Sequence, residues 1–199
     1  MKKKIFVLIL LILVIIFIIL ISKNVTKNSK NGNNMNSQEI VDKILNCNSY
    51  KAEVEVQVNS NKNKNKYIII QEYNTENGCT QEVKEPSNLS GVKITKKDNT
   101  VKIENTELNL QKIFENYEEL ENNNLDLYLF LTEYKNSNNS SYEEKDGKII
   151  MTVKTDQSRY IMNKILYIDK ENVIPEKLLI QDNNQNTTII IKYNNIELN

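Results

Sequence analysis

The chain reads as α+β: a strongly curved antiparallel sheet with helices on its concave side, preceded by one N-terminal transmembrane helix. Three observations predict this. An unbroken apolar run, Ile5 to Ile21, follows Lys2, Lys3 and Lys4. Beyond it, apolar and polar residues alternate in most segments, the period of half-buried strands. Two segments instead carry apolar residues at helical spacing. One of them, Leu125 to Tyr134, is apolar on most sides, so it must be enclosed. Antiparallel strands around inserted helices make an α+β domain, and a sheet curved over those helices buries both the strand faces and the enclosed helix.

The first run, residues 1–22, reads as an uncleaved signal anchor. About 17 residues in a helix span roughly 25 Å, at the short end for a hydrocarbon core of ~30 Å. The run is also longer than the ~7–15-residue core of a cleavable signal peptide. Leu20-Ile21-Ser22-Lys23 is too bulky for a cleavage site, and no cysteine follows for lipidation. A cleaved signal peptide and a buried core helix are the other readings. The three lysines favour a cytoplasmic N-terminus, a bias blunted by Lys23, Lys27 and Lys30 on the other side. Residues 23–36 are almost without apolar content and form a flexible tether. Fully extended at ~3.3 Å per residue, that tether reaches about 45 Å. Residues 37–199 then suffice for one domain outside the cytoplasm.

That domain opens with a helix. Asn36 is its N-cap, Glu39 the capping-box partner, and Ile40, Val41, Ile44 and Leu45 form one stripe. From Tyr50 the period becomes 2: Ala52, Val54, Val56 and Val58 alternate with Glu53, Glu55 and Gln57. After a polar turn, Tyr67, Ile69, Gln71 and Tyr73 form a second strand; Asn77-Gly78 turns into a third, from Cys79 to Glu85, which stops at Pro86. Val92 and Ile94, the turn Asp98-Asn99, then Val101 and Ile103 continue the meander. Leu110, Ile113, Phe114, Tyr117 and Leu120 fit one helical face and predict a helix. Leu125 to Tyr134 predicts a second, because leucine and glutamate form helices well; a strand is the competing reading, since Leu125, Leu127, Leu129 and Leu131 alternate. Strands return as the hairpin Tyr142–Lys145 and Lys148–Lys154 around Asp146-Gly147, then Met162–Ile168, Glu176–Gln181 and Asn186–Tyr193.

Composition excludes several functions. Basic and acidic residues balance at 26 each, and with three lysines ahead of the anchor the exterior part carries 23 basic against 26 acidic groups. A nucleic-acid partner would want a basic face, so none is expected. The absence of histidine removes Ser-His-Asp and Cys-His catalysis and most zinc enzymes. Cys47 and Cys79 both lie outside the membrane, where a disulfide or two separate thiols are equally compatible with their spacing.

Ile40-Val41-Asp42-Lys43-Ile44-Leu45 followed by Ser49-Tyr50-Lys51-Ala52 resembles the opening of the LolA-type lipoprotein-carrier fold. Ile165-Leu166-Tyr167-Ile168-Asp169, Ile174-Pro175-Glu176-Lys177-Leu178 and the closing Thr188–Tyr193 with Asn194-Asn195-Ile196 fit the same pattern. Within that group the chain is most similar to the clostridial spore germination lipoproteins, GerS and its relatives. The resemblance implies an unclosed β-barrel with helices against its concave side, no enzyme activity, and a cell-wall or cortex amidase as partner. The missing lipidation cysteine departs from it, leaving the helix as the anchor.

Candidate chemistry is sparse. Glu118, Glu119 and Glu121 crowd one short stretch, as do Glu143 and Glu144; a solvated helix face and an exposed strand edge explain them. Asp169–Asn172 and Asp182–Asn184 lack the ligand spacing and glycine of a calcium loop. No metal, cofactor or catalytic residue is predicted. Arg159 is the only arginine, read as a surface residue or an interface contact. Leu127, Phe130, Leu131 and Tyr134 are the candidate cavity or partner-contact residues; inside an open barrel they either fill the core or line a cavity for an acyl chain or a partner's side chain. The expectation is a non-enzymatic, membrane-tethered binding protein supporting spore germination through a cortex peptidoglycan amidase. A lipid- or lipoprotein-binding carrier is the alternative, and an external sensor domain a weaker one.

Overall fold

The structure is a computed structural model and describes residues 35–60, 62–98, 100–105, 107–115, 125–154 and 163–199. The predicted anchor, nearly all of the tether, Glu118, Glu119, Glu121 and Arg159 fall outside these residues.

Helix α1 (Ser37–Leu45) opens the domain as its capping box dictates. Asn36 Oδ1 accepts the Glu39 N–H at 3.0 Å, and Glu39 Oε2 accepts the Asn36 N–H at 2.7 Å. Its apolar stripe, Ile40, Val41 and Ile44, is fully buried. Six strands follow: β1 (Ser49–Asn59), β2 (Lys64–Asn74), β3 (Gly78–Glu85), β4 (Val92–Lys97), β5 (Thr100–Asn105) and β6 (Leu110–Glu115). Helix α2 (Leu127–Asn136) separates them from β7 (Ser140–Lys145), β8 (Lys148–Lys154), β9 (Asn163–Asp169), β10 (Ile174–Gln181) and β11 (Thr187–Leu198).

All eleven strands join one antiparallel sheet, in the order β6-β5-β4-β3-β2-β1-β11-β10-β9-β8-β7. The first and last strands pair at its middle, so each half is a meander running outward to its own edge. Among the described residues the sheet does not close. The chain therefore leaves the sheet at one edge, β6, and re-enters at the other, β7, with α2 in the crossing. This topology lays α2 over the same face that α1 covers.

Register explains why that face is the core. Val56 lies opposite Ile191, Ile191 opposite Leu178, Leu178 opposite Leu166, and Leu166 opposite Met151. This row crosses five strands with every side chain fully buried. A slip of one residue in any strand would turn its apolar set outward. Phe130, Leu127 and the α1 stripe pack onto the row in one continuous cluster.

Turn chemistry follows the sequence. Asp146 (φ 51°) and Gly147 (φ 72°) both take positive φ, the requirement of a tight type I′ hairpin turn. Gly78, at φ 77°, has the Lys96 carbonyl oxygen only 2.0 Å from where a Cβ would sit, so β3 and β4 can meet there only at glycine. The aspartate ending β9 holds the next loop: Asp169 Oδ1 accepts the Glu171 N–H at 2.8 Å, and Oδ2 accepts the Asn172 side-chain amide at 2.8 Å. Asp182 does the same for the β10–β11 loop, accepting the N–H groups of Asn184 and Asn186. These bonds hold both carboxyls below their usual range against the opposing effect of desolvation. Both aspartates thus serve their loops. Pro175 is accommodated at a register shift in β10, where a missing ladder donor is tolerated.

The helix expected to begin at Leu110 is corrected. Residues 110–115 form strand β6, paired along its whole length with β5. A helical stripe is stable only with a core to cover, and Leu110 and Ile113 have none; they stay 62% and 55% exposed. Backbone pairing with Thr100–Asn105 decides the conformation instead, placing Phe114 opposite the buried Val101. For Leu125–Tyr134 the helix reading holds against the strand reading. The closing strand runs on to Leu198, past Tyr193.

Candidate functional site

Two faces of α2 follow from helical spacing. Leu127, Phe130, Leu131 and Tyr134, at i, i+3, i+4 and i+7, are buried, the first two at 1% exposure or less. These are the four candidate contact residues, and all sit within the core cluster. The adjacent face, Tyr128, Thr132 and Lys135, looks onto a cleft of about 480 Å³. Its other walls are Leu45, Asn46, Cys47 and Asn48 at the end of α1, and Tyr73 and Thr75 at the end of β2. Of the four candidates only Leu131 reaches this cleft.

The aromatic wall is built to be rigid. The Tyr73 and Tyr128 rings stack, with centroids 4.0 Å apart and planes 18° off parallel. Tyr50 packs behind Tyr73 at 5.8 Å. Burial, then the hydrogen bond with Tyr128, raises the Tyr73 hydroxyl above its ordinary range. Tyr73 also walls a second, smaller cleft of about 330 Å³ at the ends of β1, β2 and β3.

Beneath the wall lies a buried polar knot. Asp126, 3% exposed, is the N-cap of α2 and accepts the Tyr128 N–H at 2.9 Å. The same Oδ1 accepts the Tyr50 hydroxyl at 2.6 Å, and Oδ2 accepts the Cys79 thiol. Gln71, fully buried, donates its amide to the Leu125 carbonyl. Burial first, and the Asp126 charge second, push the Cys79 thiol and the Tyr50 and Tyr193 hydroxyls up. Cys79 is therefore a protonated hydrogen-bond donor and a poor nucleophile. Cys47 is raised by burial as well, and its thiol donates to the Ser49 carbonyl at 3.0 Å. Both cysteines are free, so the disulfide left open by the sequence is not formed.

A second buried polar pair ties α2 to the sheet. Lys164, 3% exposed on the inward face of β9, reaches Glu133 at 2.6 Å, and Glu133 is 25% exposed. Removing Glu133 strands an ammonium that is 3% exposed, whereas removing Lys164 leaves a carboxylate on a side chain that is 25% exposed and whose Oε2 is already enclosed without a hydrogen-bond partner. Glu133→Gln should thus cost about 1–2 kcal/mol, after allowing for solvent at the carboxylate, and Lys164→Met should cost less. Urea denaturation of the two variants measures the difference; the reverse order would refute the assignment.

The sheet edges differ sharply. β7 is polar and tied to α1: Ser37 donates to Glu144, and Tyr142 donates to Gln38 Oε1 at 3.0 Å. Glu144 also pairs with Lys170, so Glu143-Glu144 belongs to a charged edge that resists strand addition. The β6 edge instead presents Leu110 and Ile113, at 62% and 55% exposure, with Leu108, 66% exposed, in the turn before it. Among the described residues no three acidic, cysteine or histidine side chains come together as a metal site.

Sequence reasoning missed the cleft, although Tyr128, Thr132 and Lys135 at i, i+4 and i+7 mark a second helix face. It also missed Asp126, whose position just before an apolar helical run is a cap signal.

Comparison with known proteins agrees with this architecture. The GerS lipoprotein of Clostridioides difficile, solved in complex with the CwlD amidase, superposes with a TM-score of 0.53 at 20% identity, over 80% of this chain and 92% of that one. An uncharacterized conserved protein of Thermus thermophilus gives 0.53 at 12% identity, over 83% and 88%. The LolA superfamily protein NE2245 of Nitrosomonas europaea gives 0.43 at 12% identity, over 83% and 94%. At these identities the first two likenesses are of fold alone. Comparison with curated proteins gives no match. A family model described as sporulation protein YdcC-like matches residues 2–199. With nearly its whole length matched, the chain belongs to the YdcC-like sporulation protein family.

Proposed function

We propose that this protein is a non-enzymatic, membrane-tethered binding domain. It stands outside the cytoplasm of a sporulating cell and holds a cortex peptidoglycan amidase close to the membrane, in support of germination. The observation that carries the reading is the β6 edge, which has no second strand neighbour among the described residues. An edge strand with two exposed apolar residues, and a third in the turn before it, is a liability unless something covers it, and pairing of a partner strand is a common way to cover one. The opposite edge is charged and already engaged. Family membership supplies the sporulation setting, and the amidase follows from the company that GerS keeps. The apolar run at residues 5–21 supplies the tether point. A tether of about 45 Å at most suits holding a partner near the bilayer better than shuttling cargo across a gap.

The test is co-purification of the full chain with the cortex amidase of the same organism, produced together. The amidase should be retained by the native protein and lost with Leu110→Lys/Ile113→Lys. Both positions are exposed, so the double variant should keep its thermal stability. Failure to retain the amidase, or equal retention by the variant, would overturn the reading. Protease applied to intact cells should cut the domain if it lies outside the membrane, and protection would refute that placement.

A further inference from the structure

The cleft between α1 and α2 has no part in the β6-edge reading, and its lining specifies a ligand chemistry. At about 480 Å³ it falls within the range of small-ligand sites. Its wall is an aromatic stack whose outer member, Tyr128, is 40% exposed, held flat by Tyr73 and braced by Tyr50. Around the stack stand three side-chain amides, Asn46, Asn48 and Asn136, and two hydroxyls, Thr75 and Thr132. An amide presents paired donors and an acceptor, which match vicinal hydroxyls and N-acetyl groups. The ring's negative face attracts the polarised C–H groups of a pyranose. Among the described residues only one charged side chain, Lys135, lines the cleft, and no acidic one does. Among the described residues Lys135 makes no ion pair, so its compact ammonium is open to a carboxylate.

Other ligand classes fit less well. An acyl chain would want a continuous apolar lining, and here Asn46, Asn48, Thr75, Thr132, Lys135 and Asn136 interrupt the apolar surface of Leu45, Cys47, Leu131 and the two tyrosine rings. A phosphate would want a fork of donors, and among the described residues the cleft offers a single ammonium, that of Lys135.

We propose that this cleft binds a short N-acetylated amino-sugar glycan, with Tyr128 as the stacking platform and Lys135 selecting sugars that carry a carboxylate. The proposal rests on the cleft alone and does not require the amidase partner.

The experiment uses the full chain in detergent micelles and titrates two probes by ligand-observed NMR. One is tri-N-acetylchitotriose, which is neutral. The other is the disaccharide of N-acetylglucosamine and N-acetylmuramic acid, which bears a lactyl carboxylate. Both should bind saturably, the second more tightly. Tyr128→Ala should weaken both at least tenfold, while Tyr128→Phe keeps most of the binding. Lys135→Ala should remove the preference for the carboxylate-bearing sugar, bringing the two probes to similar affinity. Unchanged amidase retention by Tyr128→Ala would separate this site from the β6 edge and show that the variant still folds. Absence of binding by either sugar, binding indifferent to Tyr128→Ala, or binding only by a peptide that lacks sugar would each overturn the proposal.

Discussion

Replacing Phe130 by alanine is expected to lower the unfolding free energy by about 3–5 kcal/mol. The ring is 1% exposed and lies in the cluster joining α2 to the sheet. It packs against Tyr134, with centroids 6.1 Å apart and planes tilted by 40°. The cost has two parts: the transfer energy of the lost ring, and the cavity that remains because α2 cannot sink further toward eleven fixed strands. Chemical denaturation followed by circular dichroism measures it. The same variant separates two roles for α2. If the inner face of the sheet were a carrier's cavity with Phe130 as a movable wall, truncation would enlarge the cavity at little cost in stability, and a fluorescent fatty acid would bind more tightly. As a core residue, Phe130 instead gives a large loss of stability with no saturable fatty-acid binding. A loss below about 1 kcal/mol with gained binding would favour the carrier.

Local periodicity made most strands legible, because each half-buried strand writes its burial into alternate residues. Val54 and Val56 on β1, or Ile149, Met151 and Val153 on β8, need no knowledge of their partners. Caps and turns are similarly local: the Asn36–Glu39 box and the Asp146-Gly147 turn depend on a few adjacent residues. The segment from Leu110 failed because its helical stripe and its strand pairing are both present in the sequence. Only the pairing has a partner, β5, and only the tertiary arrangement shows that no core lies beneath the stripe. Burial of α2 was legible from its apolar girth. Its functional face was not, since Tyr128 becomes a platform only when Tyr73, far away in sequence, stacks against it. The polar knot was hidden for the same reason: Tyr50, Cys79 and Asp126 come from three elements, and no spacing announces that they meet.

Asp126→Ala is expected to cost about 3 kcal/mol, the sum of a lost helix cap, ~1 kcal/mol, and of buried donors left without an acceptor, ~1–3 kcal/mol. One carboxyl serves the Tyr128 N–H, the Tyr50 hydroxyl and the Cys79 thiol. For a domain of this size the melting temperature should fall by about 6–12 °C. Asp126→Asn should cost far less. Its amide oxygen can still accept from Tyr50 and Tyr128, and only the Cys79 contact becomes donor against donor. Removal of a buried charge offsets part of that loss. The consequence for function follows from what Asp126 holds. Tyr50 braces Tyr73, Tyr73 stacks on Tyr128, and Tyr128 stands on the first turn of α2. Loss of the carboxyl therefore loosens both rings of the cleft wall at once. Glycan binding should weaken in Asp126→Ala even at temperatures where the domain stays folded, and should survive in Asp126→Asn. Amidase retention at the β6 edge, three strands beyond the β3 strand that carries Cys79, should be unchanged in both. Equal stability of the two variants would show that the carboxyl acts through its charge and that the hydrogen bonds it accepts matter little.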